Sequence, residues 1–303
     1  MAAYGVSATD YAPDVNVYSG LIGKIAKQVI EGETVRTKFD SLFKDPIEYG
    51  KDLETVLYEA ATGVAYSPTE PTVTAGAPKS HVLYFKDWTK RSYGVLLDQN
   101  QIDEGSIDGA AATRIAQTIV DTLYQGDRRE KNGYIMSALA GTSKGAPGTA
   151  EKNIVDGGTY AVPSDKETAQ TVLLAIQNYA DKVRDGSPAV NMSKLEVPAN
   201  RVVLILPQAL NRQIGTYLLA QTYDNDYSRY GVDEIITYDP TIYTKANEAI
   251  FIFDDRYTQF RQKPTSYKEK PMPESDNVKS FLHSYRMYAI CDLFPAVRID
   301  KTV

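Results

Sequence analysis

The chain has 303 residues, 43% of them hydrophobic and 24% charged, with a formal net charge of −6 and a pI near 5.2. That length buries a substantial core in one large domain or two medium ones, and the composition argues against a disordered tail or a membrane protein. The acidic balance argues against a protein whose main task is gripping phosphate backbones, although a container for nucleic acid can still be acidic.

Met1 to Val15 holds Asp10 and Asp14, no Lys or Arg, and no apolar stretch of signal-peptide length, so synthesis in a cytoplasm without export is expected. Leu21, Ile22, Ile25, Ala26, Val29 and Ile30 recur at helical spacing and predict an amphipathic helix stopped by Gly32. Phe39 to Tyr49 contains Pro46, lacks periodicity, and reads as an extended arm. Leu53 to Ala60 and His81 to Leu97 read as strands around Ser67 to Pro78, whose three prolines preclude regular pairing. Tyr58, Tyr84, Phe85, Trp88 and Tyr93 are mixed with Lys86, Asp87, Lys90 and Arg91, leaving no continuous apolar face for burial within one subunit. The expectation is a long projecting hairpin held by a partner surface, because isolated hairpins are marginal in water.

Ser106 and Asp108 offer N-caps to a helix carrying Ala110, Ala111, Ile115, Ile119, Val120, Leu123 and Tyr124, a pattern that resumes at Tyr134, Ile135 and Leu139. With Gly126 and Gly133 tolerated, at about 1 kcal/mol each relative to Ala, it runs for roughly nine turns. Gly141 to Gly158 reads as the loop that ends it. Ser164 or Asp165 then caps a second helix bearing Ala169, Val172, Leu173, Ile176, Tyr179, Ala180 and Val183, ended by Gly186 and Pro188. Arg201 to Leu206 reads as a strand covered on both faces, and Pro207 opens a helix through Tyr217 and Leu219. With strands at Glu234 to Tyr238 and Ala249 to Phe253, Arg201 to Asp254 forms a compact α/β unit. Lys279 to Cys291 and Ala296 to Ile299 read as final strands separated by Pro295.

Three specific enzymatic signatures are absent: no Gly-x-x-x-x-Gly-Lys, no His-Glu-x-x-His and no Cys-x-x-Cys. His81 and His283 are the only histidines, both in strand-like runs where a satisfied structural histidine is expected. Asp254 and Asp255 alternate across a strand and read as a solvated strand end or turn, not a two-carboxylate site. Arg128, Arg129 and Lys131 read as a solvated or salt-bridged helix face, with contact to packaged nucleic acid as the alternative. Cys291, the lone cysteine, is expected as a small buried thiol. Twenty-two tyrosines against one tryptophan indicate much surface meeting other protein, since Tyr tolerates a wet interface. No catalytic residue, cofactor or metal is assigned, and no membrane partner; the candidate inter-subunit contacts are Tyr58, Tyr66, Tyr84, Trp88, Lys90, Arg91, Arg128 and Arg129.

The order of parts resembles the α+β phage Hong Kong 97-like capsid fold, shared by tailed-bacteriophage major capsid proteins and encapsulin shells. The resemblance is carried by the hairpin from Leu53 to Asp98, the Ser106 to Ala140 helix, the Arg201-Val-Val-Leu-Ile-Leu-Pro strand and the ending Phe281 to Ile299, which contains Asp292-Leu293-Phe294-Pro295. It implies an N-terminal arm at 1–48, an extended hairpin loop at 49–105, a spine helix and peripheral domain at 106–200, an axial domain at 201–254, and peripheral return strands at 255–303. It further implies pentamers and hexamers of identical copies closing into an icosahedral shell around double-stranded DNA contacted non-specifically. A separate scaffolding protein, a portal, assembly in the host bacterial cytoplasm and residence in the virion capsid go with it. An encapsulin-like nanocompartment, another virion component such as a tail or decoration protein, and a carboxylate-dependent hydrolase are the competing readings.

Overall fold

A computed structural model describes residues 20–32, 38–44, 53–58, 80–85, 89–141, 144–145, 154–185, 199, 201–218, 227–262, 266–272, 277–290, 294 and 296–302. Its elements begin with α1 (Leu21–Gly32), a 3-10 helix at Lys38–Leu42, β1 (Phe43–Lys44), β2 (Leu53–Tyr58), β3 (Ser80–Phe85) and β4 (Thr89–Leu97). Next come α2 (Gln99–Ile107), α3 (Gly109–Gly141), β5 (Lys144–Gly145), β6 (Ile154–Tyr160), α4 (Lys166–Asp185), β7 (Val202–Pro207) and α5 (Gln208–Leu218). The remainder is strand-rich: β8 (Glu234–Tyr238), β9 (Ile250–Asp254), β10 (Thr258–Gln262), β11 (Ser266–Pro271), β12 (Val278–Ile290) and β13 (Ala296–Lys301). Two compact units form, one from residues 1–50, 87–132 and 261–287, the other from 51–86, 133–260 and 288–303.

In the first unit, α3 presents Ala112, Ile115, Ala116, Ile119 and Leu123 to a core that also takes Ile22, Ala26 and Ile30 from α1. The same core holds Leu97, Tyr267, Val278 and Leu282 from β4, β11 and β12. Burying each large aliphatic side chain contributes roughly 1.5–3 kcal/mol. The Tyr124 hydroxyl donates to the Ile30 carbonyl at 2.9 Å, satisfying an acceptor in the last turn of α1. The apolar stripe of α1 is thus matched within its own subunit. Lys38–Leu42 is likewise a 3-10 helix with Phe39 and Leu42 buried, not an extended arm.

β4 is a second correction, because it does not belong to the projecting hairpin. It pairs antiparallel with β12 from Leu97↔Val278 to Thr89↔Arg286, and Tyr93 and Val95 pack against the core. The hairpin is confined to β2 and β3, paired from Leu53↔Phe85 to Tyr58↔Ser80. The polar helix α2, invisible to hydrophobic periodicity, occupies the following residues. Its capping box has the Gln101 amide donating to Asp98 Oδ1 at 2.8 Å and the Asp98 amide donating to Gln101 Oε1 at 3.3 Å. Ser106 therefore lies inside α2, while Asp108 caps α3 by accepting from the Ala110 amide at 2.9 Å. Both internal glycines are tolerated, and α3 runs 33 residues, about 50 Å at the usual rise.

The second unit is built on a mixed six-stranded sheet in the order β5-β6-β13-β9-β7-β8. Every residue of β7 is buried, as its unbroken apolar run requires. α4 buries Ala169, Val172, Leu173, Ile176, Ala180 and Val183, and Asp165 Oδ1 accepts from the Thr168 amide at 2.8 Å at its start. Pro207 ends β7, so α5 begins one residue later than expected. β6 lies partly in the stretch expected to be loop: at Gly157 a Cβ would stand 2.7 Å from Val297 and Ile299 side chains, so glycine permits the close β6–β13 approach. The α/β unit expected at Arg201 to Asp254 thus shares its sheet with strands from 144–160 and 296–301. β12 spans the long final strand as expected, whereas β10 and β11 were not anticipated. Cys291, Gly186, Pro188 and Leu219 lie outside the described residues.

Candidate functional site

The adjacent carboxylates at the end of β9 are not solvated. Asp254 and Asp255 are 0% and 5% exposed, and each has its own arginine. Asp254 accepts from Arg256 Nη2 at 2.6 Å and from Arg256 Nε at 3.0 Å, while its burial pushes its carboxyl above the usual range. Asp255 lies 3.7 Å from Arg201, which also pairs with Glu234 at 2.8 Å. Of the two expectations, the solvated strand end fails because ion pairing replaces the lost hydration, whereas the turn is present: Asp255 stands in it, and the Tyr257 amide donates to the Asp254 carbonyl at 2.8 Å. Held by separate arginines, the two carboxylates do not share one site. No cluster of three or more metal-ligating side chains occurs among the described residues, and no helix among them is long and apolar enough to cross a membrane. His283 Nδ1 lies 2.7 Å from Ser92 Oγ, its ring stacks on Phe281, and burial followed by the Lys268 charge pushes its pKa down.

Of the candidate contact residues, Tyr58 stands opposite Ser80 and Tyr84 opposite Glu54 in the hairpin register. Tyr66 and Trp88 lie outside the described residues. Lys90 and Arg91 are exposed on β4, and Arg128 and Arg129 are exposed on α3. Arg91 is engaged within its own unit, its Nε 2.8 Å from Glu130 Oε2. The Tyr93 hydroxyl donates to the same carboxylate at 3.1 Å and accepts from Arg286 Nη2 at 2.8 Å; Arg286 also reaches Asp127 at 3.4 Å. Burial holds the Tyr93 hydroxyl well above its ordinary pKa, so it remains a proton donor. Lys131, expected with Arg128 and Arg129 on a solvated or salt-bridged face, is buried, so the solvated alternative does not hold for it.

The register of β4, β12 and β11 also assembles a surface that single-segment reading missed. Directly paired residues share a sheet face. Lys279 stands between Leu96 and Lys270, and Phe281 between Gly94 and Lys268. His283 stands between Ser92 and Ser266, with Tyr285 opposite Lys90. Lysine at alternate positions in Lys268-Glu269-Lys270 was the available signal, but the partner strands are remote in sequence.

The model of the family described as Phi29-like phage major capsid protein matches residues 1–299. No curated protein sequence matches the chain. Among solved structures, the capsid of Staphylococcus phage Andhra is similar at 14% identity and a TM-score of 0.55, over 89% of this chain and 86% of that one. The mature capsid of bacteriophage PhiM1 is similar at 11% identity and a TM-score of 0.53, over 89% of each chain. The virus-like particle of Pyrococcus furiosus is similar at 12% identity and a TM-score of 0.50, over 91% of this chain and 98% of that one. The common fold is the α+β Hong Kong 97-like capsid fold.

Proposed function

This chain belongs to the Phi29-like phage major capsid protein family, and from that premise we propose that its copies assemble as hexamers and pentamers into an icosahedral shell enclosing double-stranded DNA. Family and fold are those of a structural capsid protein and not of an enzyme, and its place is the virion capsid.

The observation that carries the assembly reading is the isolation of the β2–β3 pair. Among the described residues these strands form a two-stranded sheet of their own, joined to no third strand. A two-stranded ribbon is marginal in water, and ordering costs about 1–2 kcal/mol per residue, so a neighbouring copy is the natural support. Laid over that neighbour, the hairpin adds to an obligate interface of roughly 2,000–5,000 Å². Residues 1–48 then serve as the arm and 49–105 as the extended loop, rooted through β4 in its own subunit. Residues 106–200 supply the spine helix and peripheral domain, 201–254 the axial domain and 255–303 the return strands. Tyr58, Tyr66, Tyr84, Trp88, Lys90, Arg128 and Arg129 are the proposed contacts, with Arg91 contributing beside its Glu130 pair. A separate scaffolding protein and a portal complete the assembly in the host bacterial cytoplasm, and DNA is contacted non-specifically.

Negative-stain imaging of the purified chain tests the proposal, closed shells being the expected result. Deleting Tyr66 to Lys79 should leave a soluble subunit that makes no stable shells; normal shells from that variant would contradict the role given to the hairpin. Shells that purify with a cargo protein in place of DNA would transfer the reading to a nanocompartment.

A further inference from the structure

We infer that the lysine-bearing face of the β11–β12–β4 sheet is a contact surface for a second copy of this chain, which seats carboxylates against it. The inference rests on the shell reading and names a surface through which copies meet.

Lys270 and Lys279 stand directly opposite each other on neighbouring strands. Like charges so placed destabilise a sheet. Lys268 and Lys90 add positive charge to the same face, and no carboxylate occupies any of its described positions. Lys90, Lys270 and Lys279 form no ion pair among the described residues. This concentration stands out in a chain whose net charge is −6. A subunit that keeps a repulsive lysine pair on an exposed sheet gains most when a partner brings negative charge.

The surface between the lysines suits protein better than a phosphate backbone. Leu96 is 50% exposed beside Lys279. Phe281 lies across Gly94, where a Cβ would stand 3.1 Å from its ring, and stacks on His283 with the planes 11° apart. An apolar and aromatic centre edged by charge is the anatomy of a protein interface. The complementary surface exists on the same chain. Asp98, Asp103 and Asp108, around α2, are exposed and make local hydrogen bonds but no ion pair among the described residues. A head-to-tail contact joins two different surfaces of identical copies, and such contacts generate rings when they close. Glu274 and Asp276, between β11 and β12 in sequence, lie outside the described residues and stay unchanged in every variant.

The test uses the full-length chain as the sole protein. Lys270→Glu replaces the repulsive pair with an attractive one, so the unassembled subunit should melt at least a degree higher, while shell yield at fixed concentration and salt falls tenfold or more. Lys270→Gln/Lys279→Gln should give an intermediate yield, with unchanged far-ultraviolet circular dichroism. In wild-type assemblies made from isotopically labelled and unlabelled chains, zero-length amine–carboxylate coupling should join Lys270 or Lys279 to an acidic residue of another copy. Wild-type yields from both variants would overturn the inference and leave the shell reading standing. Normal shells that lose retention of a DNA fragment would assign the face to nucleic acid and overturn it too. A wild-type chain that never assembles would overturn the shell reading and this inference together.

Discussion

The guanidinium of Arg286 lies 3.4 Å from the carboxylate of Asp127, with both side chains withdrawn from solvent, so a strand and the long helix are joined by a buried ion pair. Tyr93 brings β4 into the same network through its hydroxyl. Removing one partner of such a pair strands a charge in a medium that solvates it poorly. Asp127→Ala should therefore cost about 3–5 kcal/mol of subunit stability, measured by urea unfolding. Arg286→Met combined with Asp127→Leu should recover most of that loss. A single substitution as mild as a surface change would show that the pair is hydrated.

The two internal glycines of α3 should respond oppositely to alanine. At Gly133 an added Cβ meets the Tyr243 ring at 3.5 Å, an ordinary contact, so Gly133→Ala should stabilise by up to about 1 kcal/mol through helix propensity. At Gly126 the Cβ would stand 2.9 Å from the Tyr93 ring, which is tied to Glu130 and Arg286. Gly126→Ala should therefore lower the melting temperature despite the better propensity. Differential scanning calorimetry of the unassembled subunit distinguishes the two.

If α1 is part of the subunit core, trimming its stripe should be felt before assembly. Ile22→Ala and Ile30→Ala each remove a fully buried side chain, and each should cost about 2–5 kcal/mol in the isolated subunit. Chemical denaturation with no effect on the free subunit, but a loss of shells, would return the helix to the role of an inter-subunit arm.

His283 predicts a pH dependence with a defined sign. Burial and Lys268 lower its pKa in the folded chain, so on acidification the unfolded chain takes up the proton first. Stability from this group is complete above its unfolded value of about 6.5 and is lost as the pH falls toward the folded value. Urea midpoints at about pH 7.5 and about pH 5 should differ less in His283→Gln than in the wild-type chain. Equal differences would mean that His283 does not contribute.

Much of this architecture was legible in the linear pattern. The stripe from Leu21 to Ile30, the caps at Asp108 and Asp165, the continuous run of β7 and the alternation of β12 each contain their own instruction, because local periodicity and capping act within a few residues. The polar helix α2 was not legible: among its side chains that are described only Ile102 packs against the core, and its capping box stands beside the stronger signal of α3. β6 was hidden in a Gly-rich stretch whose glycines signalled a loop, although they serve close strand approach.

The surfaces proposed to bind other copies divide the same way. The proline-rich segment between β2 and β3, the tyrosine surplus and the missing catalytic signatures are properties of the chain order and composition, and these already point to a shell. Whether Asp254 is solvated, whether β4 projects or anchors, and which lysines stand together depended on partners far along the chain. Lys90 and Lys270 are separated by most of the protein in sequence, yet β12 pairs with both their strands. Charge and burial are sums over neighbours in space, and long-range strand pairing decides who those neighbours are.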